Sequence, residues 1–327
     1  MVLPAKPTAT EAGALSLCRT ESGRLQALAI EAADRLIRGY IRYSPVERGR
    51  WRMWRWYRQL AGWRSEMRSK VATTPFGFKV HVHLQDVIQR NIWLTGRWEP
   101  LITECFRRML APGDTFVDVG ANIGYYSLLA SRLVGQTGRV YAIEASPTIL
   151  TLLRENIVLN HADNVEVKHA IASDHDGEQE FWLAPQAVRG RSTSVQSVAS
   201  ASGMQSEGRI RCGALTSIVP MDQLLNARLI KIDVEGAERA VLEPLVKHLR
   251  EFSNHTVWAV ELTPEHCPGG HADVAWVFDW FCRNGYVAFV MKNDYTEATY
   301  LSRPKSVELR QVTAAPAIQA DMLFLRE

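Results

Sequence analysis

Cysteine is sparse and scattered in this chain. Its five residues, Cys18, Cys105, Cys212, Cys267 and Cys282, are odd in number and without C-x-x-C spacing, which argues against a disulfide framework and favours a reducing compartment. There is no run of about 18 apolar residues for a membrane span. Pro4, Lys6 and Pro7 interrupt the N-terminus, so no signal peptide is read there and a cytoplasmic protein is expected. A large excess of one charge is also lacking. A net charge of +3 is too small to argue for nucleic acid by itself, although its distribution is uneven. What is present is 46% hydrophobic residues in 327, enough for one large α/β domain plus an appendage.

The most informative run is Asp118-Val119-Gly120-Ala121-Asn122-Ile123-Gly124-Tyr125-Tyr126-Ser127. The apolar Thr115-Phe116-Val117 precedes it and helical spacing follows from Ser127 to Leu133, so Gly120, Asn122 and Gly124 fall in a strand-to-helix turn. Glycine there permits positive φ and close backbone approach, and the helix N-terminus supplies unpaired amides. The D-x-G-x-N-x-G spacing differs from the G-x-G-x-x-G of dinucleotide folds. Asp118 at its head would repel a pyrophosphate but suits the cationic methionine end of S-adenosylmethionine, the expected cofactor. About 20 residues further on, Arg139-Val140-Tyr141-Ala142-Ile143-Glu144 ends a second strand in an acid placed to accept the two ribose hydroxyls.

Other cofactor contacts are expected at the edges of this site. Glu99, ahead of the helix Leu101 to Leu110, is either a cofactor contact or an acid favouring the helix dipole. Val165 to Ser173 reads as a third strand, with Ser173 and Asp174 at its end either binding the adenine amino group or forming an ordinary polar turn. The segment from Glu180 to about Ser217 reads as an inserted β excursion or lid, with strands at Phe181-Trp182-Leu183, Ser194 to Val198 and Arg209-Ile210-Arg211. It offers Arg189 and Arg191 to an anionic or hydroxylated acceptor.

A second cluster of acids follows the fourth strand, Leu229 to Gly236, and precedes a helix expected over Ala237 to Arg250. Asp233 and Glu235 stand two apart, which in an extended strand puts them on one face. Ligands bind at the carboxyl ends of parallel strands. The bland readings are helix capping by Glu238 and a salt bridge to Lys231. The fifth strand ends in Glu261, with His266 in the loop beyond it. For removal of a hydroxyl proton the candidates are Asp233 first, then Glu235, Glu261 and His266. A divalent cation held by Asp233, Glu235 and Glu261 is the alternative, and the metal-free form is preferred. His266, Cys267 and His271 lack a fourth partner, so no zinc is expected.

The first 70 or so residues lie apart from this pattern. Residues 1–20 read as a loose tail, and helical spacing runs from Glu21 to about Tyr43. Arg48 to Lys70 then interleaves arginines with Trp51, Trp54, Trp56, Tyr57 and Trp63. Trp51, Trp54 and Arg58 share one helix face, and Trp56, Leu60 and Trp63 another. Packing on the main domain, peripheral membrane contact and nucleic-acid binding all remain open, and nucleic acid is the least expected because no recognition motif accompanies the charge.

Taken together, Gly96-Arg97-Trp98-Glu99, Pro112-Gly113-Asp114, the run Asp118 to Ser127, Met221-Asp222 and Ile230-Lys231-Ile232-Asp233-Val234-Glu235-Gly236-Ala237-Glu238 resemble the FkbM family of S-adenosylmethionine-dependent methyltransferases, over roughly Phe76 to Glu327. The resemblance implies a class I methyltransferase fold, α/β and Rossmann-like. It also implies O-methylation of a hydroxyl on a sugar, glycan or other natural-product acceptor. Strand signals count to seven, mostly parallel, with the last pair antiparallel. The expected organisation is a basic, Trp-rich helical appendage over 1–73 and a catalytic domain over 74–327. N-methylation of a protein or small molecule and a non-catalytic membrane-surface module are the alternatives, and an oxidoreductase is least expected.

Overall fold

The computed structural model describes residues 28–29, 31–61, 69–291, 296–301 and 307–326. The expected tail over 1–20, the helical spacing over 21–27, Trp63, Arg64 and Arg68 lie outside the described residues. So do the side chains of Arg58 and Leu60, which two of the expected helix faces need.

The chain divides into two compact units, Met1–Leu60 and Ala61–Glu327. In the first, residues 31–43 are helical and a second helix occupies Glu47–Ala61. Pro45 ends the first helix, because proline disfavours helical geometry in the residue before it. Arg50 Nε donates to the Ile41 carbonyl at 2.7 Å and ties the two together.

The second unit begins with a hairpin, β1 (Ser69–Thr73) against β2 (Lys79–His83). An appendage ending at residue 73 would therefore cut this hairpin, and β1 belongs with the main domain. There follow β3 (Thr115–Val119), β4 (Arg139–Glu144), β5 (Val165–His169), β6 (Ile171–Ala172), β7 (Gly177–Leu183), β8 (Gln205–Gly213), β9 (Leu229–Ile232), β10 (Val257–Leu262), β11 (Tyr286–Met291), β12 (Leu309–Val312) and β13 (Ala320–Arg326). One eight-stranded sheet runs β12-β11-β13-β10-β9-β3-β4-β5, parallel from β10 through β5, with β13 antiparallel to both its neighbours. The unbroken burial of β9, and of β3 and β4 after their first residues, is that of strands covered on both sides. At the β11–β13 end, Phe281 stacks on Phe324 at 4.2 Å between ring centroids.

Several expectations are corrected. The eighth strand, β12, escaped because Leu309-Arg310-Gln311-Val312 lies at a sheet edge with a polar middle and shows no alternation. The third strand does not run to Ser173. It stops at His169, and Ile171 and Ala172 cross into a separate sheet, β6-β8-β7, where Ile171 buries against Phe181, Ile210 and Cys212. Residues Ser194 to Val198 are not a strand but lead into a helix, Gln196–Ala201, a stretch too short for its periodicity to separate the two. The expected helix over Ala237 to Arg250 is α-helical only over Glu238–Leu242, then 3-10 over Glu243–Lys247. Pro244 causes the change, since it offers no amide and its ring crowds the preceding turn.

From β3 the chain winds outward through β4 and β5, then returns to lay β9 on the other side of β3. That reversal opens a crevice at the carboxyl ends of β3 and β9. Its floor is tight. Gly120 has φ 82°, and a Cβ there would lie 1.9 Å from the Asp233 carbonyl oxygen, whereas at Gly77, φ 85°, a Cβ would meet nothing within 4 Å. Gly77→Ala should therefore lose only the left-handed backbone preference, roughly 1–2 kcal/mol. Gly120→Ala should lose that and about 1–3 kcal/mol more for the overlap. Thermal unfolding of the two variants measures the difference, and equal losses would contradict the close approach.

Candidate active site

The turn after β3 is held by its neighbouring strand. Gly120 and Ala121 both donate to the Ile143 carbonyl at 3.0 and 2.9 Å, and Asn122, at φ 51°, donates its amide to Glu144 Oε2 at 2.8 Å. Glu144 Oε1 accepts the Ser146 amide at 2.8 Å. Each Glu144 oxygen thus holds one backbone amide and retains a lone pair for another donor. Burial pushes this carboxyl up to about 7. Asp118, at the end of β3, accepts the Ser127 hydroxyl on Oδ2 at 2.6 Å. Its Oδ1 is buried and has no hydrogen-bond partner among the described residues, with the Lys231 ammonium 3.8 Å away.

Lys231 is buried on β9, and its Nζ lies 2.9 Å from Asp233 Oδ2 and 5.5 Å from the centre of the Tyr126 ring. Burial alone would lower its pKa, but the carboxylates of Asp233 and Asp118 outweigh burial and raise it, so it stays charged. Glu99, at the N-terminus of the helix Pro100–Met109, makes no capping bond. Its Oε2 instead accepts the Tyr126 hydroxyl at 2.6 Å. Carboxylate oxygens of Glu99, Glu261 and Asp321 lie within 4.8 Å of one another. Burial first, then the charges of Asp233, Asp321, Glu235 and Glu99, push Glu261 well above the ordinary carboxylate range and favour its neutral form. The trio that the sequence offered for a cation, Asp233, Glu235 and Glu261, is not the one the fold gathers.

Asp233 and Glu235 do not share the face of a strand. β9 ends at Ile232, and Glu235 (φ 55°) and Gly236 (φ 104°) turn the chain left-handed. Asp233 thereby faces Lys231, while Glu235 Oε2 meets His266 Nδ1 at 2.8 Å. The Glu235 carboxylate beside Nδ1 raises the His266 pKa above its ordinary 6.5 despite partial burial. Gly236 lets the His266 loop close in, since a Cβ there would lie 2.1 Å from the His266 carbonyl oxygen. Glu238 caps this turn by accepting the Gly236 amide at 3.0 Å.

The excursion between β6 and β8 reaches the same place. Thr193 Oγ1 donates to the Glu235 carbonyl at 2.9 Å, and a Cβ on Gly190 would stand 3.4 Å from the Asn122 side chain. Arg191 bears electrostatically on Glu235 and His266, and Arg189 Nη1 is buried without a hydrogen-bond partner among the described residues. Ser173 and Asp174 stand after β6 in the small sheet, not at the end of a main-sheet strand. Ser173 is buried, and Asp174 is exposed and pairs with His175 at 2.7 Å. Tyr126 and Asp321 were not singled out from the sequence. The signal for Asp321 was an acid opening the apolar run Met322-Leu323-Phe324-Leu325.

This crevice can hold a ligand with a cationic centre against Asp118 and present an imidazole paired with a carboxylate beside it. The family model described as the methyltransferase FkbM domain matches residues 118–288. An arsenite methyltransferase from Halobacterium salinarum is 37% identical over 59 residues, 18% of this chain and 15% of that protein. A probable cobalt-precorrin-6B C(15)-methyltransferase (decarboxylating) from Sulfolobus acidocaldarius is 40% identical over 55 residues, 17% of this chain and 29% of that protein. The chain thus spans less than a third of the length of either curated relative. A solved methyltransferase FkbM from Methylobacillus flagellatus is similar at 17% identity and a TM-score of 0.39, covering 72% of this chain and 52% of that one.

Burial also pushes Glu238 up to about 7, from an ordinary 4.5. Between those values the unfolded chain ionises before the folded one, so the stability contributed by neutral Glu238 falls as pH rises through that window. Glu238→Gln keeps the amide acceptor and stays neutral. It should therefore gain on the wild type between about pH 5 and about pH 8 by roughly 1–3 kcal/mol, read as a rise of a few degrees in relative melting temperature. A difference that does not change with pH would refute the shift.

Proposed function

The chain belongs to the FkbM methyltransferase family and its cofactor is S-adenosylmethionine, and from that premise we propose that it methylates a hydroxyl oxygen of a sugar, glycan or related natural-product acceptor. In this reading His266 takes the hydroxyl proton and Glu235 orients the imidazole. The observation that carries it is the Glu235–His266 pair, 2.8 Å apart in the loops that follow β9 and β10.

S-adenosylmethionine, when bound, supplies an electrophilic methyl group. An alcohol that accepts a methyl must lose its proton, and a neutral amine needs no strong base for its attack, so a positioned base is most useful in O-methylation. Among the candidates Asp233 is engaged by the Lys231 ammonium, and burial among neighbouring acids favours the neutral form of Glu261. Glu235 holds Nδ1 of His266, leaving Nε2 for the acceptor. The residues present fit the cofactor. Asp118 Oδ1 accepts no hydrogen bond among the described residues and suits its cationic amino end, and Glu144 retains lone pairs for ribose hydroxyls. Arg191 and the buried Arg189 Nη1 offer donors to an oxygen-rich acceptor.

Incubation with methyl-labelled S-adenosylmethionine and a panel of sugars, glycans and natural products should place label on oxygen, read by mass spectrometry. Label on nitrogen alone would support the N-methylating alternative instead. With that acceptor, His266→Asn should lower kcat by about 10²- to 10⁴-fold while the cofactor Kd stays unchanged. Because Glu235 stabilises protonated His266, activity should rise with pH through a midpoint above 6.5. Glu235→Gln should move that midpoint down. An unmoved midpoint would remove the pair from proton transfer.

A further inference from the structure

Apolar side chains are left exposed unevenly. Of the twelve large hydrophobic residues exposed among those described, seven lie between Leu28 and Trp56 and only five in the whole second unit, so this exposure belongs to the first unit. The same stretch is basic. Residues 31–61 carry eight arginines against Glu31, Asp34 and Glu47, more positive charge than the net +3 of the entire chain. On the helix Glu47–Ala61 the two features share one face: Arg48, Trp51, Arg52, Arg55 and Trp56 are all exposed, and at 3.6 residues per turn they fall within an arc of about 140°. Trp51 and Trp56 are 38% and 52% exposed and flank the arginine row, and the Arg55 guanidinium lies over the Trp51 ring at 4.8 Å. On the other side of the helix Arg50, Trp54 and Tyr57 are buried.

We propose that this face docks the protein on an anionic lipid surface, with Arg48, Arg52 and Arg55 meeting the headgroups and Trp51 and Trp56 entering the interface. Arginines in a row complement a negative surface, and indoles settle at the headgroup level because one edge is apolar and the other polar. Tyr43 and Val46, 66% and 57% exposed just before the helix, add apolar surface that a bilayer interface takes up and a phosphate backbone does not. No helix among the described residues is long and apolar enough to cross a membrane. Such docking would hold the protein at a membrane that carries acceptors, and it stands independently of which atom is methylated.

The test uses the full chain with phosphatidylcholine vesicles, with and without phosphatidylglycerol. Cosedimentation with the anionic vesicles only, together with a blue shift of tryptophan emission, is expected. The double variant Trp51→Ala, Trp56→Ala should weaken binding by about 10-fold or more. The triple variant Arg48→Gln, Arg52→Gln, Arg55→Gln should weaken it by on the order of 100-fold. All three side chains replaced in that variant are exposed, so melting temperature and cofactor affinity should not move. Absence of sedimentation with anionic vesicles overturns the proposal, as does wild-type affinity in both variants. Binding to single-stranded RNA without binding to vesicles would assign the face to nucleic acid instead.

Discussion

Parallel pairing of β3 with β9 sets Asp118 opposite Lys231, and the buried ammonium that results stands 3.8 Å from the Asp118 carboxylate and 2.9 Å from that of Asp233. A buried charge is costly unless it is paired, and removing one partner leaves the other exposed to that cost. Lys231 therefore constrains everything around it. It draws Asp233 back toward the sheet and lies over the Tyr126 ring, whose hydroxyl donates to Glu99. One cation in this way organises acids from β3, the β9 loop and the helix beginning at Pro100.

Given that arrangement, burial divides the remaining acids by role. Glu144 accepts the Asn122 and Ser146 amides and Glu238 accepts the Gly236 amide, so they shape the two turns that line the crevice. Glu261 shares a crowded site with Glu99 and Asp321 and favours a neutral carboxyl. Glu235, unlike Glu144, Glu238 and Glu261, meets an imidazole. A row of acids that looks equivalent along the chain is thereby sorted into anchors, turn supports and one acid–imidazole pair.

How much of this was legible depends on whether the signal was local. The glycine turn, the strand before it and Glu144 at the end of the next strand are all carried by spacing, and the fold keeps them adjacent through the Ile143 carbonyl and the Asn122 amide. The shared face of Asp233 and Glu235 failed because it assumed an extended chain, whereas Glu235 at φ 55° and Gly236 at φ 104° turn it. Asp321 went unnoticed because its importance comes from pairing with Glu261 across two antiparallel strands 60 residues apart in sequence. Ser173 and Asp174 were placed by a strand that appears continuous, but Ala170 separates two short strands belonging to different sheets.

By itself, then, the sequence determined the α/β class, the strand-to-helix turn with its ligand chemistry, and the basic aromatic character of the Glu47–Ala61 segment, because backbone preference, periodicity and charge are properties of neighbours along the chain. Only the tertiary structure decided which acid faces which cation, that His266 meets Glu235, and which side of that helix is exposed. Those outcomes follow from strand register and from burial, and both are set by contacts between residues far apart in sequence.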